Sequence, residues 1–221
     1  MSYTWDFSIL NQSASALSLG MLLTVEISLA SMAIALIAAM PITLLRVSTH
    51  RGLSAIGTCY TEFFRATPAL VQVVWIFYAL PPLIGVTLSP VTAGILALSL
   101  TLAAFVSEVY RAGIKGVPAG VREASLALGH RPHQTYIRVL GPLALRRMVP
   151  PLGSLWISLF KDSSIVSIIG VHELMYESRV LAIDSYRPLE VFTAVAIIYY
   201  VVTCPQAIFV EFLYKKFRAG E

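Results

Sequence analysis

Long uncharged hydrophobic runs dominate the chain, and short polar segments separate them. Residues 66–107 contain no Asp, Glu, Lys or Arg. This stretch is too long for one membrane helix, because crossing about 30 Å of hydrocarbon takes roughly 20 residues. Pro81-Pro82 and Ser89-Pro90 divide it into two. The whole pattern predicts five membrane-spanning helices, at approximately 17–45, 61–80, 90–110, 148–171 and 191–210.

The composition supports an integral membrane protein. Of the 221 residues, 57% are hydrophobic and only 13% are charged, whereas soluble domains average about 25% charged residues. The net charge is +4, but the basic residues flank the apolar runs rather than forming a soluble basic face, which argues against nucleic acid as a partner. We therefore expect an all-α membrane protein, with residues 1–221 forming a single transmembrane domain.

The distribution of Lys and Arg predicts the orientation in the membrane. The loop near residues 46–65, the loop near 111–147 and the tail contain thirteen Lys and Arg, whereas the two loops on the other side contain two. Cytoplasmic loops accumulate such residues. The N-terminus is therefore expected outside, with the C-terminus in the cytoplasm. No Lys or Arg precedes the first apolar run, so we expect that run to remain as a span rather than to be a cleaved signal.

The arginine-rich loop, approximately 112–147, interrupts the apolar sequence between the third and fourth spans. Residues 118–128 are predicted to form a short helix, with Pro118 in its first turn, Glu123 in its N-terminal half and Gly129 as its C-terminal cap. Pro132 is expected to start a second helix that Pro142 breaks. One narrow face of mostly small side chains, able to accept a closely approaching backbone, comprises Val121, Ala124, Ser125 and Leu128.

Polar residues inside the spans are the candidates for a solute pathway. Ionisable groups at bilayer depth are costly, so they face a cavity or a partner. Lys161 and Asp162 interrupt the fourth span near its middle, and both solute contact and pairing across helices remain open for them. Glu26 and Glu108 are expected to face the bundle interior. The candidate pathway residues are Thr67, Gln72, Glu108, Lys161, Asp162, Ser163 and Ser164.

Several chemistries are not indicated. The pair His130 and His133 has a spacing seen in metal sites, but no Cys or carboxylate cluster accompanies it. There is no G-x-x-x-x-G-K-[ST] segment for nucleotide phosphates, and no H-E-x-x-H or G-x-S-x-G. We expect no cofactor or metal on this chain, no catalytic residues and no enzymatic activity.

Four segments resemble the permease subunits of ABC importers. Glu123-Ala124-Ser125, followed at the proper spacing by Gly129 and Val139-Leu140-Gly141-Pro142, is similar to the "EAA" loop of that family. Three further segments are similar to its polar amino acid branch, and these are residues 62–72 (EFFRATPALVQ), 108–114 (EVYRAGI) and 160–170 (FKDSSIVSIIG). The resemblance extends over roughly residues 15–215.

The resemblance implies a type I importer permease of the MetI-like fold, with five transmembrane helices and a cytoplasmic coupling helix. It further implies a bacterial inner membrane location, a second permease subunit (identical or related), two ATPase subunits that bind ATP and Mg²⁺, and an extracytoplasmic solute-binding protein. The solute would be a polar amino acid or a related zwitterion. Residues expected to couple to the ATPase are Val121, Glu123, Ala124, Ser125, Leu128 and Gly129.

Two other functions remain as alternatives. A secondary, ion-coupled transporter would usually show inverted repeats and more spans. A membrane anchor for another complex would also present a docking loop. The sequence leaves open which solute moves, whether the second permease is identical, and whether the binding protein is tethered.

Overall fold

The computed structural model describes residues 4–218, and helices make up almost all of that range, without a strand. Four helices are long and apolar enough to cross a membrane, and a fifth crossing results if the bent pair α3–α4 counts as one span. The expected all-α membrane fold is therefore confirmed. The helices are α1 Ser8–Gln12, α2 Ala14–Val47, α3 Arg51–Ala66, α4 Ala69–Ile84, α5 Pro90–Lys115, α6 Ala119–Ala127, α7 Pro132–Ile169, α8 Leu174–Ser185 and α9 Pro188–Arg218.

The most extensive helix pair joins α2 to α5. Small side chains let the two backbones approach, as is usual between membrane helices. Ser31 Oγ lies 3.5 Å from the Ile95 carbonyl and Thr43 Oγ1 lies 3.3 Å from the Ser107 carbonyl. Both contacts join residues 64 positions apart, so the helices run parallel in a constant register. The buried face of α2 comprises Leu17, Gly20, Thr24, Ile27, Ser28, Ser31, Ala35, Ala39 and Thr43.

Glu26 does not face the bundle interior, contrary to expectation. Its side chain is exposed on α2, opposite the buried face. The register explains why a carboxylate is tolerated there, because Glu26 aligns with Pro90, the first residue of α5. Glu26 therefore lies at the level where the neighbouring helix begins, rather than in the middle of the bundle.

The proline expected to break a helix lies inside one instead, as do two prolines that follow it. Pro142, Pro150 and Pro151 are all within α7, so Pro142 does not break the helix as expected. A π-helical turn at Thr135–Leu140 directly precedes Pro142, and a second at Trp75–Ala79 precedes Pro81-Pro82. A π turn widens the helix, which makes room for the proline ring where it would otherwise clash with the carbonyl four residues earlier.

Helix α7 consequently begins much earlier than the predicted span 148–171. The connection from α5 to α7 shortens to residues 116–131, because both helices extend into the predicted loop 112–147. Lys161 and Asp162 do not lie near the middle of the span. They end the α-helical part of α7, and the last turns, Ser163–Ile169, tighten into a 3₁₀ helix.

A buried carboxylate attaches α8 to the bundle. Glu173 is fully buried and accepts hydrogen bonds from the N–H groups of Met175 and Tyr176, each at 2.9 Å. The Tyr199 hydroxyl of α9 also donates to it, at 3.3 Å. Burial raises the pKa of Glu173 above its usual value, although the hydrogen bonds oppose this shift. This cap joins α8 to the helix that follows it.

Candidate transport pathway and coupling helix

A cavity of about 270 Å³ lies between α4, α5 and α7, and we call it the deep cavity. Its lining is mostly apolar, with Asp162 as its charged residue and Thr101 and Ser158 as hydroxyl groups. Asp162 reaches it from the point where α7 tightens into the 3₁₀ turns. The remaining lining residues are Ala69, Leu98, Leu102, Phe105, Leu155 and Leu159.

A second cavity of about 370 Å³ follows along α5, and we call it the basic cavity. It shares Phe105 and Leu155 with the deep cavity. Its charged lining residues are Arg65, Glu108 and Arg147, and the Arg65 guanidinium lies 5.6 Å from the centre of the Phe105 ring. The two cavities therefore adjoin at Phe105. The charged residue of the deep cavity is a carboxylate, whereas two of the three charged residues of the basic cavity are arginines.

Glu108 links two helices through an ion cluster. Its Oε2 accepts from Arg46 Nη1 of α2 at 2.5 Å and from Arg111 Nε at 3.2 Å, while its Oε1 accepts from Arg111 Nη2. The Arg46 side chain is only 8% exposed. Glu108 thus compensates a buried cation and also lines the basic cavity, so it faces inward as expected.

Gln72 stabilises the bend between α3 and α4, where the helix axes meet at 104°. Pro68 has no N–H to donate to the Phe64 carbonyl four residues earlier. Gln72 Nε2 donates to that carbonyl at 2.9 Å and to the Thr67 carbonyl at 3.0 Å, and its Oε1 accepts from Thr101 of α5. The predicted span 61–80 therefore crosses a bend that a side-chain amide holds.

The seven candidate pathway residues divide into those that line a cavity and those that do not. Gln72 is buried and does not line either cavity, and the Thr67 hydroxyl donates to the Phe63 carbonyl at 2.8 Å. Ser163 and Ser164 donate to the carbonyls of Phe160 and Lys161, each at 2.8 Å. Lys161 is exposed outside both linings. Of the seven candidates, the structure brings Asp162 and Glu108 to the cavities, whereas Thr67, Gln72, Lys161, Ser163 and Ser164 lie outside the two linings.

The predicted short helix in the loop is α6, Ala119–Ala127, with Pro118 as its N-cap. Glu123 and Ala124 are exposed, and Leu128 is 80% exposed at the helix end. Gly129 has φ +84°, and nothing lies within 4 Å of a Cβ placed there. This left-handed conformation suits glycine and ends the helix, as the sequence predicts.

Ser125 does not share the exposed face. Its side chain is buried, with its hydroxyl 3.0 Å from both His130 Nδ1 and Thr135 Oγ1. Val121 is half-buried and lines a cavity of about 420 Å³ between α6, α7 and α9. Ser125 therefore fastens α6 to the start of α7, and of the predicted coupling residues Glu123, Ala124, Leu128 and Gly129 are exposed.

Two residues of the site escaped sequence reasoning. In the sequence Arg46 is one of the basic residues of the loop near residues 46–65, and the only signal for its role is that a buried carboxylate such as Glu108 needs a cation. Phe105 carries no sequence signal, because one aromatic residue in an apolar run is usually a packing residue. Its position between the cavities depends on tertiary structure.

The described helices and cavities define a multi-pass α-helical membrane protein with two adjoining internal cavities and a short exposed helix between α5 and α7. Residues 31–219 match the family described as "binding-protein-dependent transport system inner membrane component". The match covers most of the chain, which therefore belongs to this family of inner membrane transport components. The chain is therefore a membrane component of a transport system.

Relatives and a solved structure agree with this assignment. The chain is 38% identical to the glutamine transport system permease protein GlnP of Escherichia coli strain K12, over 67% of this chain and 68% of the relative. It is 35% identical to the arginine transport system permease protein ArtQ of Bacillus subtilis, over 82% and 83%. The crystal structure of an amino acid ABC transporter with histidines superposes with a TM-score of 0.89 at 28% identity, covering 97% and 100%. The predicted family resemblance and permease fold are confirmed.

Proposed function

We propose that this chain is the permease subunit of an ABC importer that moves a polar amino acid or a similar zwitterion into the cytoplasm by alternating access. The observation that supports this most is the pair of adjoining cavities, with Asp162 in a mostly apolar lining and a basic region beyond Phe105. Relatives named as glutamine and arginine permeases support the solute class.

Asp162 is our candidate contact for the ammonium group of the solute. Asp162 presents a carboxylate to this mostly apolar cavity, where a cationic group can pair with it. Thr101 and Ser158 add hydroxyl groups to the same lining. Arg65, in the adjoining cavity, offers a guanidinium to the solute carboxylate as the solute passes.

The exposed surface of α6 is our candidate for docking on the ATPase. Glu123, Ala124 and Leu128 supply the contact, Gly129 ends the helix, and Ser125 transmits movement to α7 through Thr135. This arrangement requires a second permease subunit, two ATPase subunits that hold the ATP and Mg²⁺, and an extracytoplasmic binding protein. The distribution of Lys and Arg supports an outside N-terminus and a cytoplasmic C-terminus.

The solute pathway is tested by replacing Asp162. The assembled complex is reconstituted in proteoliposomes with ATP inside, and uptake of labelled glutamine, arginine and histidine is measured. Asp162→Asn should reduce uptake about 10- to 100-fold, because a charge-assisted hydrogen bond contributes about 1.5–3 kcal/mol. Lys161→Gln, one residue away and outside both cavities, is the matched control and should retain most uptake. Equal uptake by Asp162→Asn and the native protein would exclude this role, and uptake without ATP would exclude an ABC importer.

The coupling role is tested separately at Gly129. Gly129→Asp adds a side chain at φ +84° and a charge on the docking surface, so it should insert normally yet lose solute-stimulated ATP hydrolysis. Gly129→Asn tolerates the left-handed conformation better and should lose less. Full stimulation with Gly129→Asp would contradict docking through α6.

A further inference from the structure

Helix α3 has its apolar side turned away from the protein. Three large hydrophobic residues on one stripe are exposed, namely Leu53 at 43%, Ile56 at 61% and Phe63 at 58%. The residues of α3 that are buried against the rest of the chain are Gly57 and Thr61. A helix on a protein in water shows the opposite arrangement, so the medium that covers this stripe is apolar.

The contacts on the protein side are close and polar. Ser54 Oγ donates to the Arg46 carbonyl at 3.4 Å, and Thr61 Oγ1 lies 3.4 Å from Ser107 Oγ. At Gly57 a Cβ would lie 2.7 Å from Arg46 Cγ. These contacts fix the rotation of α3 about its axis, which leaves the stripe facing outward.

The location of α3 favours lipid over a protein as the covering medium. The helix starts four residues after α2 ends, with His50 and Arg51 exposed at its beginning. Long side chains form its stripe, whereas helix–helix contacts in membranes favour small ones. Basic residues beside an apolar stripe are typical of helices that lie in the membrane surface, near anionic headgroups.

We propose that α3 lies in the plane of the inner leaflet, with Leu53, Ile56 and Phe63 inserted among its lipids, and that it acts as a rigid lever on the pathway. The leaflet assignment rests on the orientation given under the proposed function. The 104° bend directs α4 across the membrane while α3 follows its surface.

The bend transmits movement because its hydrogen bonds make it stiff. Gln72 joins the last turn of α3 to α4 through the Phe64 and Thr67 carbonyls. Arg65, in that last turn, lines the basic cavity, and Ala69, the first residue of α4, lines the deep cavity. A tilt of α3 in the leaflet therefore displaces the linings of both cavities together.

Spin labels test which medium covers the stripe. In a Cys59→Ser, Cys204→Ser background, a nitroxide is attached at Ile56→Cys or at Thr58→Cys, an exposed position two residues on and about 200° around the helix. The assembled complex is placed in liposomes of phosphatidylcholine and phosphatidylglycerol. Collision of the label with oxygen, which concentrates in lipid, is compared with collision with a water-soluble nickel chelate.

The Ile56 label should collide several-fold more with oxygen than with nickel, at a depth near the headgroups, and the Thr58 label should show a smaller ratio. Low collision with both reagents would mean that a protein covers the stripe, and high nickel collision would mean water; either result would overturn the proposal. The measurement needs no transport activity, so its failure is distinguishable from failure of the proposed function. The leaflet is tested in sealed vesicles in which the cytoplasmic face of the complex is inside. A water-soluble reductant added outside should leave the Ile56 label intact, and rapid loss of the label signal would overturn the leaflet assignment.

As a functional readout, Leu53→Gln with Ile56→Gln should reduce coupled uptake several-fold, while Thr58→Gln should not. Native uptake from the double variant would refute the lever.

Discussion

The bend at Pro68 depends on one amide, and removing that amide should weaken the fold measurably. Gln72→Leu keeps the volume of the side chain but deletes both donors and the acceptor. The Phe64 carbonyl then loses the hydrogen bond that replaces the one Pro68 cannot donate, and the Thr67 carbonyl loses a second. Thr101 keeps its bond to the Ala97 carbonyl at 2.9 Å, so the two carbonyls carry most of the effect.

The expected magnitude follows from these two groups. Leaving a buried polar group unpaired destabilises a protein by about 1–3 kcal/mol. With two carbonyls unpaired and some relaxation around them, the free energy of unfolding should decrease by about 3 kcal/mol. For a chain of this length, 1 kcal/mol corresponds to about 2–4 °C in Tm, which predicts a decrease of roughly 6–12 °C. The decrease is measured by thermal unfolding of the purified chain in detergent, followed by tryptophan fluorescence. Trp75, the first residue of the π turn within α4, is a reporter close to the bend.

Two variants make the result specific. Thr101→Val removes the hydroxyl that donates to Gln72 but leaves the two carbonyls paired, so its decrease in Tm should be less than half as large. Gln72→Glu retains the acceptor and loses the amide donors, so it should resemble Gln72→Leu. An unchanged Tm for Gln72→Leu, or equal decreases for Gln72→Leu and Thr101→Val, would refute the idea that the amide substitutes for the missing backbone donor.

Three further outcomes are expected. Glu108→Gln should lower stability by about 3–5 kcal/mol, because it leaves the buried Arg46 charge uncompensated, and Arg46→Met in the same chain should restore part of the loss in a denaturant titration. Glu173 has a raised pKa in the folded state, so native stability should increase relative to Glu173→Gln as the pH falls from neutral toward about 4.5, and parallel pH profiles would exclude this. Ser125→Ala removes the contacts to His130 and Thr135 and should reduce solute-stimulated ATP hydrolysis while ATP binding by the partner stays unchanged, as nucleotide titration can check.

Sequence reasoning succeeded where the signal was local. The cap at Gly129 and the short helix before it follow from turn chemistry, and the apolar runs follow from the thickness of the bilayer. It failed where a partner lay far along the chain. Nothing near Glu26 reveals that it aligns with the start of α5, and the orientation of Ser125 toward Thr135 requires the fold of the following helix. Periodicity alone placed Ser125 on a face with Leu128, because a nine-residue helix is too short for periodicity to identify its buried side.

A proline that would break a helix in a soluble protein does not always break one in a membrane. In water, the carbonyl that a proline leaves unpaired can accept a hydrogen bond from solvent, so breaking a helix costs little free energy. In hydrocarbon, the same carbonyl must find a donor within the protein. At Pro68 a side-chain amide four residues later supplies the donor, and at Pro81 and Pro142 a π turn precedes the proline. The first solution permits a sharp bend, because the amide bridges both arms of the bend, whereas the π turn keeps the helix continuous. The amide has this effect only where it reaches across the bend, because Gln206 directly follows Pro205 but bonds to the Val202 carbonyl and to Trp156, and α9 stays continuous.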